Sequence, residues 1–300
     1  MDVAAGFEAV FLDPVGRVVQ QRWADAAVAV AFEELDPVSA FPVVPGRRWG
    51  PGLWWSATCG RHVASGSNAM RVQLMVLDRD PRVVGMAGRP VRLLWRDGGG
   101  RVRSWVPQLF ARYADGTGLL ADCPSHTEAG GERAMKAAAA VAEACARVGF
   151  VYRRLERLDE VVEANVKWLA GYRHPRNQGR KGLAAVREAF AQPRPLMEGV
   201  EAAGDPIEVL PVVFHALWAG QLTAPLDVPL HEHVLVHAAG SGAESAAGRK
   251  EGAGRSGAED GGAGEGASEA QAPEADGDGV GPGGGAGRGS TSSGRGGEAG

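Results

Sequence analysis

Apolar and polar positions alternate on both sides of Asp13-Pro14-Val15-Gly16. Phe7, Val10 and Leu12 precede that turn and Val18 and Val19 follow it, which predicts a β-hairpin over 6–21. Residues 26–32 are apolar without a resolving period and fit strand or helix. Pro37, Pro42, Pro45 and Pro51 punctuate 35–53, an irregular connector, and 54–58 predict a short strand. Over 68–78, Ala69, Val72, Leu74, Met75 and Leu77 recur mostly at 3.6-residue spacing, the pattern of a helix that Asp80-Pro81 stops. Residues 82–95 read as extended, 102–114 as one long strand and 118–123 as another, with turns at 97–100 and 115–116. Residues 131–148 are Ala-rich and helical, Gly149 ends them, and 150–152 return as a strand.

Residues 54–155 thus spell a helix, a three-stranded meander, a helix and a strand, an α/β pattern with a mixed sheet. Further helices are predicted over 159–172, over 182–191, and from Pro206 to about Gly220 with Asp205 as N-cap. Residues 226–228 and 234–236 flank Pro229 as a small hairpin. Three helices followed by a hairpin outline a winged helix. The expected organisation is a β-rich segment over 1–53 packing on an α/β domain over 54–156, then a helical winged-helix-like region over 157–238 and a tail over 239–300.

Composition changes the picture at the C-terminus. Residues 241–300 hold 21 of the 45 glycines, a single large aliphatic (Val280), 5 basic and 10 acidic residues. The remaining 240 residues carry 27 basic against 26 acidic, so the formal −4 belongs to the tail. A segment with so little apolar surface cannot offset the entropy of ordering and is expected to be disordered. No apolar run approaches a membrane span, and no basic-then-apolar leader opens the sequence. With three cysteines (Cys59, Cys123, Cys145), too few for a disulfide scaffold, a cytoplasmic, reducing setting is expected.

A helix before a hairpin whose strands end in Pro107-Gln108 and Ala121-Asp122-Cys123-Pro124 resembles the restriction-endonuclease-like nuclease core. In that core two acids hold Mg²⁺ and a lysine two residues on stabilises phosphate charge. Longer strings make the likeness more specific. Trp54-Trp55-Ser56-Ala57-Thr58-Cys59-Gly60-Arg61-His62-Val63, Asp80-Pro81-Arg82-Val83-Val84-Gly85, Trp168-Leu169-Ala170-Gly171-Tyr172-Arg173-His174-Pro175-Arg176, Gly204-Asp205-Pro206-Ile207 and Leu210-Pro211-Val212-Val213-Phe214-His215 resemble TnsA-like endonuclease subunits of heteromeric transposases, over roughly residues 5–237. The resemblance implies a nuclease-fold domain, a winged-helix-like region, a role in DNA transposition at transposon ends, and a TnsB-like transposase and an ATPase subunit as partners.

The chain departs from that family's motif. Gly66-Ser67 and Met70 stand where the family's helix opens with an acid, Gln108 stands for the Asp after Pro, and Pro124 for the basic residue. Asp122 alone survives as catalytic and metal-binding residue, with Gln108 as a degenerate second position. One carboxylate and one amide hold Mg²⁺ poorly, so little or no nuclease activity is expected and Mg²⁺ matters only to an active form. Two alternatives stay open: an active endonuclease joining Asp122 to Asp78 or Asp80, and a scaffold unrelated to DNA. Asp122 also fits a solvated or capping acid at a strand end, and Gln108 a strand-end polar residue.

Residues 172–181 carry Arg173, Arg176, Arg180 and Lys181 without an acid, a loop suited to DNA phosphate contact; a solvated basic loop or one docking onto an acidic partner fits as well. Cys59-x2-His62 and Cys123-x2-His126 supply four zinc-type ligands at a separation that fits no familiar finger; ordinary buried thiols are the simpler account. Trp54, Trp55, Trp95, Trp105, Trp168 and Trp218 are expected as core or interface anchors, and His215 as a satisfied, half-buried residue.

Overall fold

The structure, a computed structural model, describes residues 6–41, 43, 50–124, 131–179 and 182–239. The glycine-rich tail, Arg180, Lys181 and His126 lie outside them.

The chain opens with the expected hairpin, β1 (Glu8–Leu12) and β2 (Val18–Arg22). Asp13 Oδ1 accepts from Val15 N (3.0 Å) and Arg17 N (2.8 Å), and Gly16 takes the positive φ (81°) that the turn requires. Of the ambiguous apolar stretch 26–32, residues 26–29 fall in helix α1 (Trp23–Ala29) and Phe32 opens a short 3-10 turn, Phe32–Glu34. A short hairpin follows, β3 (Gly52–Trp55) and β4 (His62–Ser65). Helix α2 (Asn68–Arg79) starts where Ser67 Oγ accepts from Met70 N (3.1 Å) and ends at Asp80, before Pro81.

The strands after α2 differ from the expected three-stranded run. Residues 82–95 divide into β5 (Val83–Gly88) and β6 (Arg92–Arg96), and 102–114 divide into β7 (Val102–Trp105) and β8 (Leu109–Tyr113). Pro90 and Pro107 interrupt the two stretches, and a proline cannot donate to a central ladder. β6 and β7 leave the central sheet and pair with the N-terminal hairpin, giving an antiparallel sheet in the order β2-β1-β6-β7. The central sheet runs β10-β9-β8-β5, with β9 (Gly118–Asp122) antiparallel to β8 and β10 (Val151–Arg154) parallel to β9. Helix α3 (Glu132–Arg147) makes the crossover that this parallel pair needs, and Gly149 (φ 73°) ends it.

Both faces of the central sheet are covered, so β9 is buried along its whole length. Alternate residues go to opposite cores. Leu109, Ala111, Leu119 and Ala121 pack with Leu74 and Met75 of α2 and with the C-terminal helices. Phe110 and Leu120 pack with Val141, Ala144 and Cys145 of α3 and with Phe7, Trp23 and Phe32. Trp23 also donates its Nε1 to Ala144 O at 2.8 Å, fastening α1 to α3.

The C-terminal part contains α4 (Glu160–Ala170), α5 (Gly182–Ala189), α6 (Leu196–Ala203) and α7 (Pro206–Trp218). Helix α6 has no counterpart in the sequence expectation. As expected, Asp205 Oδ1 accepts from Ile207 N (2.8 Å) with Pro206 at the first helical position. β11 (Arg194–Pro195), β12 (Leu222–Thr223) and β13 (Leu235–Ala238) form a small antiparallel sheet in the order β11-β13-β12. The strand expected at 226–228 is a bend between Pro225 and Pro229, and β12 lies upstream. Two guanidinium bonds, Arg79 Nε and Nη2 to Leu217 O (3.2 and 3.1 Å), tie α2 to the end of α7. Among the described residues no helix is long and apolar enough to cross a membrane.

Candidate functional site

The β8–β9 hairpin brings Gln108 and Asp122 to the same end of the central sheet, next to the paired Leu109 and Ala121. Asp122 closes β9 with 6% of its surface exposed. Its Oδ2 accepts from Trp105 Nε1 (2.8 Å) and Tyr152 Oη (2.7 Å), and its Oδ1 from Gln108 N (3.1 Å). Burial pushes the carboxyl above the ordinary aspartate range, against the pull of those three donors and of Arg154. Burial, with Asp122 beside it, likewise drives the Tyr152 hydroxyl up, so Tyr152 stays a donor. Gln108 turns its Oε1 to Cys123 N (3.2 Å) and so fastens the chain beyond Asp122.

Above Asp122 opens a cavity of about 880 Å³, lined by Arg89, Arg92, Trp105, Gln108, Arg133 and Arg154 among others. Arg89 has φ 51°, the only positive φ outside glycine among the described residues, although it precedes Pro90. Left-handed backbone there costs about 1–3 kcal/mol. Three hydrogen bonds hold it: Arg89 N to Gln108 O (3.0 Å), Val38 N to Arg89 O (2.8 Å) and Arg89 Nη2 to Ser39 Oγ (2.8 Å). Its buried Nε has no partner. Burial, with Arg92 nearby, pulls the Arg89 pKa below its usual value.

These residues do not fit a divalent cation. The lone carboxylate already carries three donors, the second position is an amide engaged with backbone, and four guanidinium groups line the same cavity. No group of three potential ligands occurs among the described residues. Asp80 and Asp78 do not complete the set. Asp80 binds Arg82 (2.7 Å) beside Val83, which pairs with Tyr113 at the far end of β8, four residues or about 13 Å from Leu109. Asp78, also 6% exposed, accepts from Trp54 Nε1, Ser56 Oγ, Ala57 N and Thr58 N (2.7–3.1 Å). At the start of α2, Ser67 acts as a cap and Met70 is buried; neither is an acid.

The basic loop is divided by the fold. Arg173 turns inward: Nε donates to Trp55 O (2.8 Å), Nη1 to Ala170 O (2.7 Å), and the guanidinium lies 3.9 Å from the Trp54 ring centroid. Arg176 is exposed. Lys167 of α4 and Arg187 of α5 are isolated cations in their helices. Helix α7 has no lysine or arginine and is largely buried. The 224–234 loop is tied to α4, where Asn165 Nδ2 donates to Leu226 O (2.9 Å) and Val228 O (2.7 Å), and it carries Asp227 and Glu232 rather than cations.

Cys59 Sγ lies 3.8 Å from Met86 O, and burial pushes the Cys145 thiol up to about 12 and Cys123 higher still. His215 is buried with Nδ1 2.8 Å from Tyr172 O. Trp54 and Trp218 are core residues, whereas Trp168 is 56% exposed. Sequence reasoning missed Arg89, Arg92, Arg133 and Arg154, which come from four separate elements or turns and share no local spacing. No family model matches this chain, and no curated protein matches it.

Proposed function

We propose that this chain is a TnsA-like subunit of a DNA-transposition machinery that binds DNA without cutting it. One observation carries the reading: at the hairpin end where such a core would place its metal-binding acids, the described residues put one carboxylate, already holding three donors, among four arginines. Guanidinium groups suit phosphate, and a divalent cation would be repelled. Within the central sheet, helix α2, the antiparallel strands β5, β8 and β9, helix α3 and the parallel strand β10 follow in an order compatible with a restriction-endonuclease-like core, with β6 and β7 inserted as part of a second sheet. The succession α5, β11, α6, α7, β12, β13 is compatible with a winged helix that keeps the topology and lacks the usual charge. In this reading a TnsB-like transposase supplies the chemistry at transposon ends and, with an ATPase subunit, provides the protein partners.

The test is a supercoiled plasmid carrying transposon ends, incubated with this chain, the transposase, and Mg²⁺ or Mn²⁺. The expected result is retention that weakens with salt and no added nicking. Nicking that Asp122→Ala abolishes would establish an active endonuclease instead. Absence of retention with and without the transposase would leave a scaffold unrelated to DNA.

A further inference from the structure

We infer that the arginine-lined cavity at the end of β8 and β9 is a receptor for a phosphomonoester on a nucleotide, the 5′-phosphate of a DNA strand end or of a free mononucleotide. This deepens the DNA-binding reading above and rests on it for the choice of strand end.

Three features of the cavity point the same way. Its described lining holds Arg89, Arg92, Arg133 and Arg154 against one carboxylate, whose oxygens are occupied by Trp105, Tyr152 and Gln108 N. A dianionic phosphate presents several acceptor oxygens and offsets clustered guanidinium charge better than a singly charged phosphodiester does. Second, Arg89 lines the cavity from a strained backbone conformation. Strain of this kind gathers where a ligand is held. Third, Gly131, Arg133 and Ala134 line the cavity at the start of the 16-residue α3, so the positive end of the helix dipole adds to the same field. The volume, about 880 Å³, exceeds what phosphate alone fills and accommodates a nucleoside monophosphate. Half-buried Trp105 lines the same space, and an indole offers a surface for a base.

The experiment is calorimetric titration of the full chain with 2′-deoxyadenosine 5′-monophosphate and with deoxyadenosine. Single-stranded 12-mers bearing a 5′-phosphate or a 5′-hydroxyl follow. The mononucleotide is expected to bind at least about tenfold more tightly than the nucleoside, and Arg92→Ala and Arg133→Ala to weaken it about tenfold each. Arg92→Lys, which keeps charge and loses the fork, recovers part of that loss, and unchanged melting temperatures exclude misfolding. A 5′-phosphorylated 12-mer binding more tightly than both the mononucleotide and its hydroxyl twin assigns the strand end; a stronger mononucleotide assigns the free ligand. Equal affinity for the mononucleotide and the nucleoside, or for the two 12-mers with both far above the mononucleotide, would overturn the inference. The second of those outcomes leaves the DNA-binding reading intact. Phosphomonoester binding without plasmid retention in the transposase assay would overturn that reading alone and leave the free nucleotide as the ligand.

Discussion

Asp78 and Asp122 are the same residue at the same 6% exposure, each near the end of an element that builds the central core. Their surroundings differ. Asp78 takes four donors from one short stretch, 54–58, and Arg173 crosses the Trp54 ring beside it, so the group closes on itself. Asp122 takes three donors from Trp105, Gln108 and Tyr152, and then opens on a large cavity. A buried carboxylate enclosed by local donors fixes the chain, whereas one assembled from distant strands under open space marks a site.

The largest effect is expected at Asp78. Asp78→Ala orphans two backbone amides, an indole and a hydroxyl, and leaves the nearby Arg173 charge without its counterpart. The expected loss is about 3–5 kcal/mol, read as a lower urea midpoint at unchanged slope. A loss below about 1 kcal/mol would mean that the knot is not structural.

Arg173→Ala comes next. It removes bonds to Trp55 O and Ala170 O and the stacking on Trp54. The expected cost is about 2–3 kcal/mol. DNA retention per mole of folded protein should not change, because this guanidinium faces inward. A selective drop in retention without a stability loss would return Arg173 to the surface role that its sequence suggests.

That reversal shows what the sequence can carry. Asp205-Pro206 and Gly149 were legible because caps and turns act over three or four residues. The pairing of Gln108 with Asp122 was legible because a hairpin brings its two strand ends together. The four arginines were not, because Pro90 and Pro107 send β6 and β7 into another sheet and so bring Arg92 and Trp105 to the cavity wall by long-range pairing. Arg173 and Arg176 looked equivalent in the loop, since nothing local says which one meets Trp54. Helix α6 was missed because its eight residues provide only two turns of periodic signal.

At Asp122 the effect is smaller and depends on pH. Asp122→Asn keeps the shape but turns an amide toward one of the donors, a loss of about 1–3 kcal/mol. Burial raises the native pKa of the wild-type carboxyl above its ordinary value near 3.9. The wild-type contribution is therefore full below that value and falls as pH rises through the native one. Asparagine does not titrate, so the gap between variant and wild type should narrow from the acid side toward neutrality, measured by urea midpoints along a pH series. A gap that widens with pH would mean that the donors and arginines outweigh burial.

The smallest effect is expected at Arg176, and it tests whether the basic loop belongs with the knot or with the cavity. Its side chain is exposed on the turn that follows Arg173, so Arg176→Ala should leave stability within about 0.5 kcal/mol. Its contribution to DNA retention would be one phosphate contact, a slope in log affinity against log salt shallower by about 1. An unchanged slope would place the DNA path wholly at the end of β8 and β9. A changed slope would run it from the arginine cavity to this turn, past the largely buried α7, which offers no lysine or arginine to guide it.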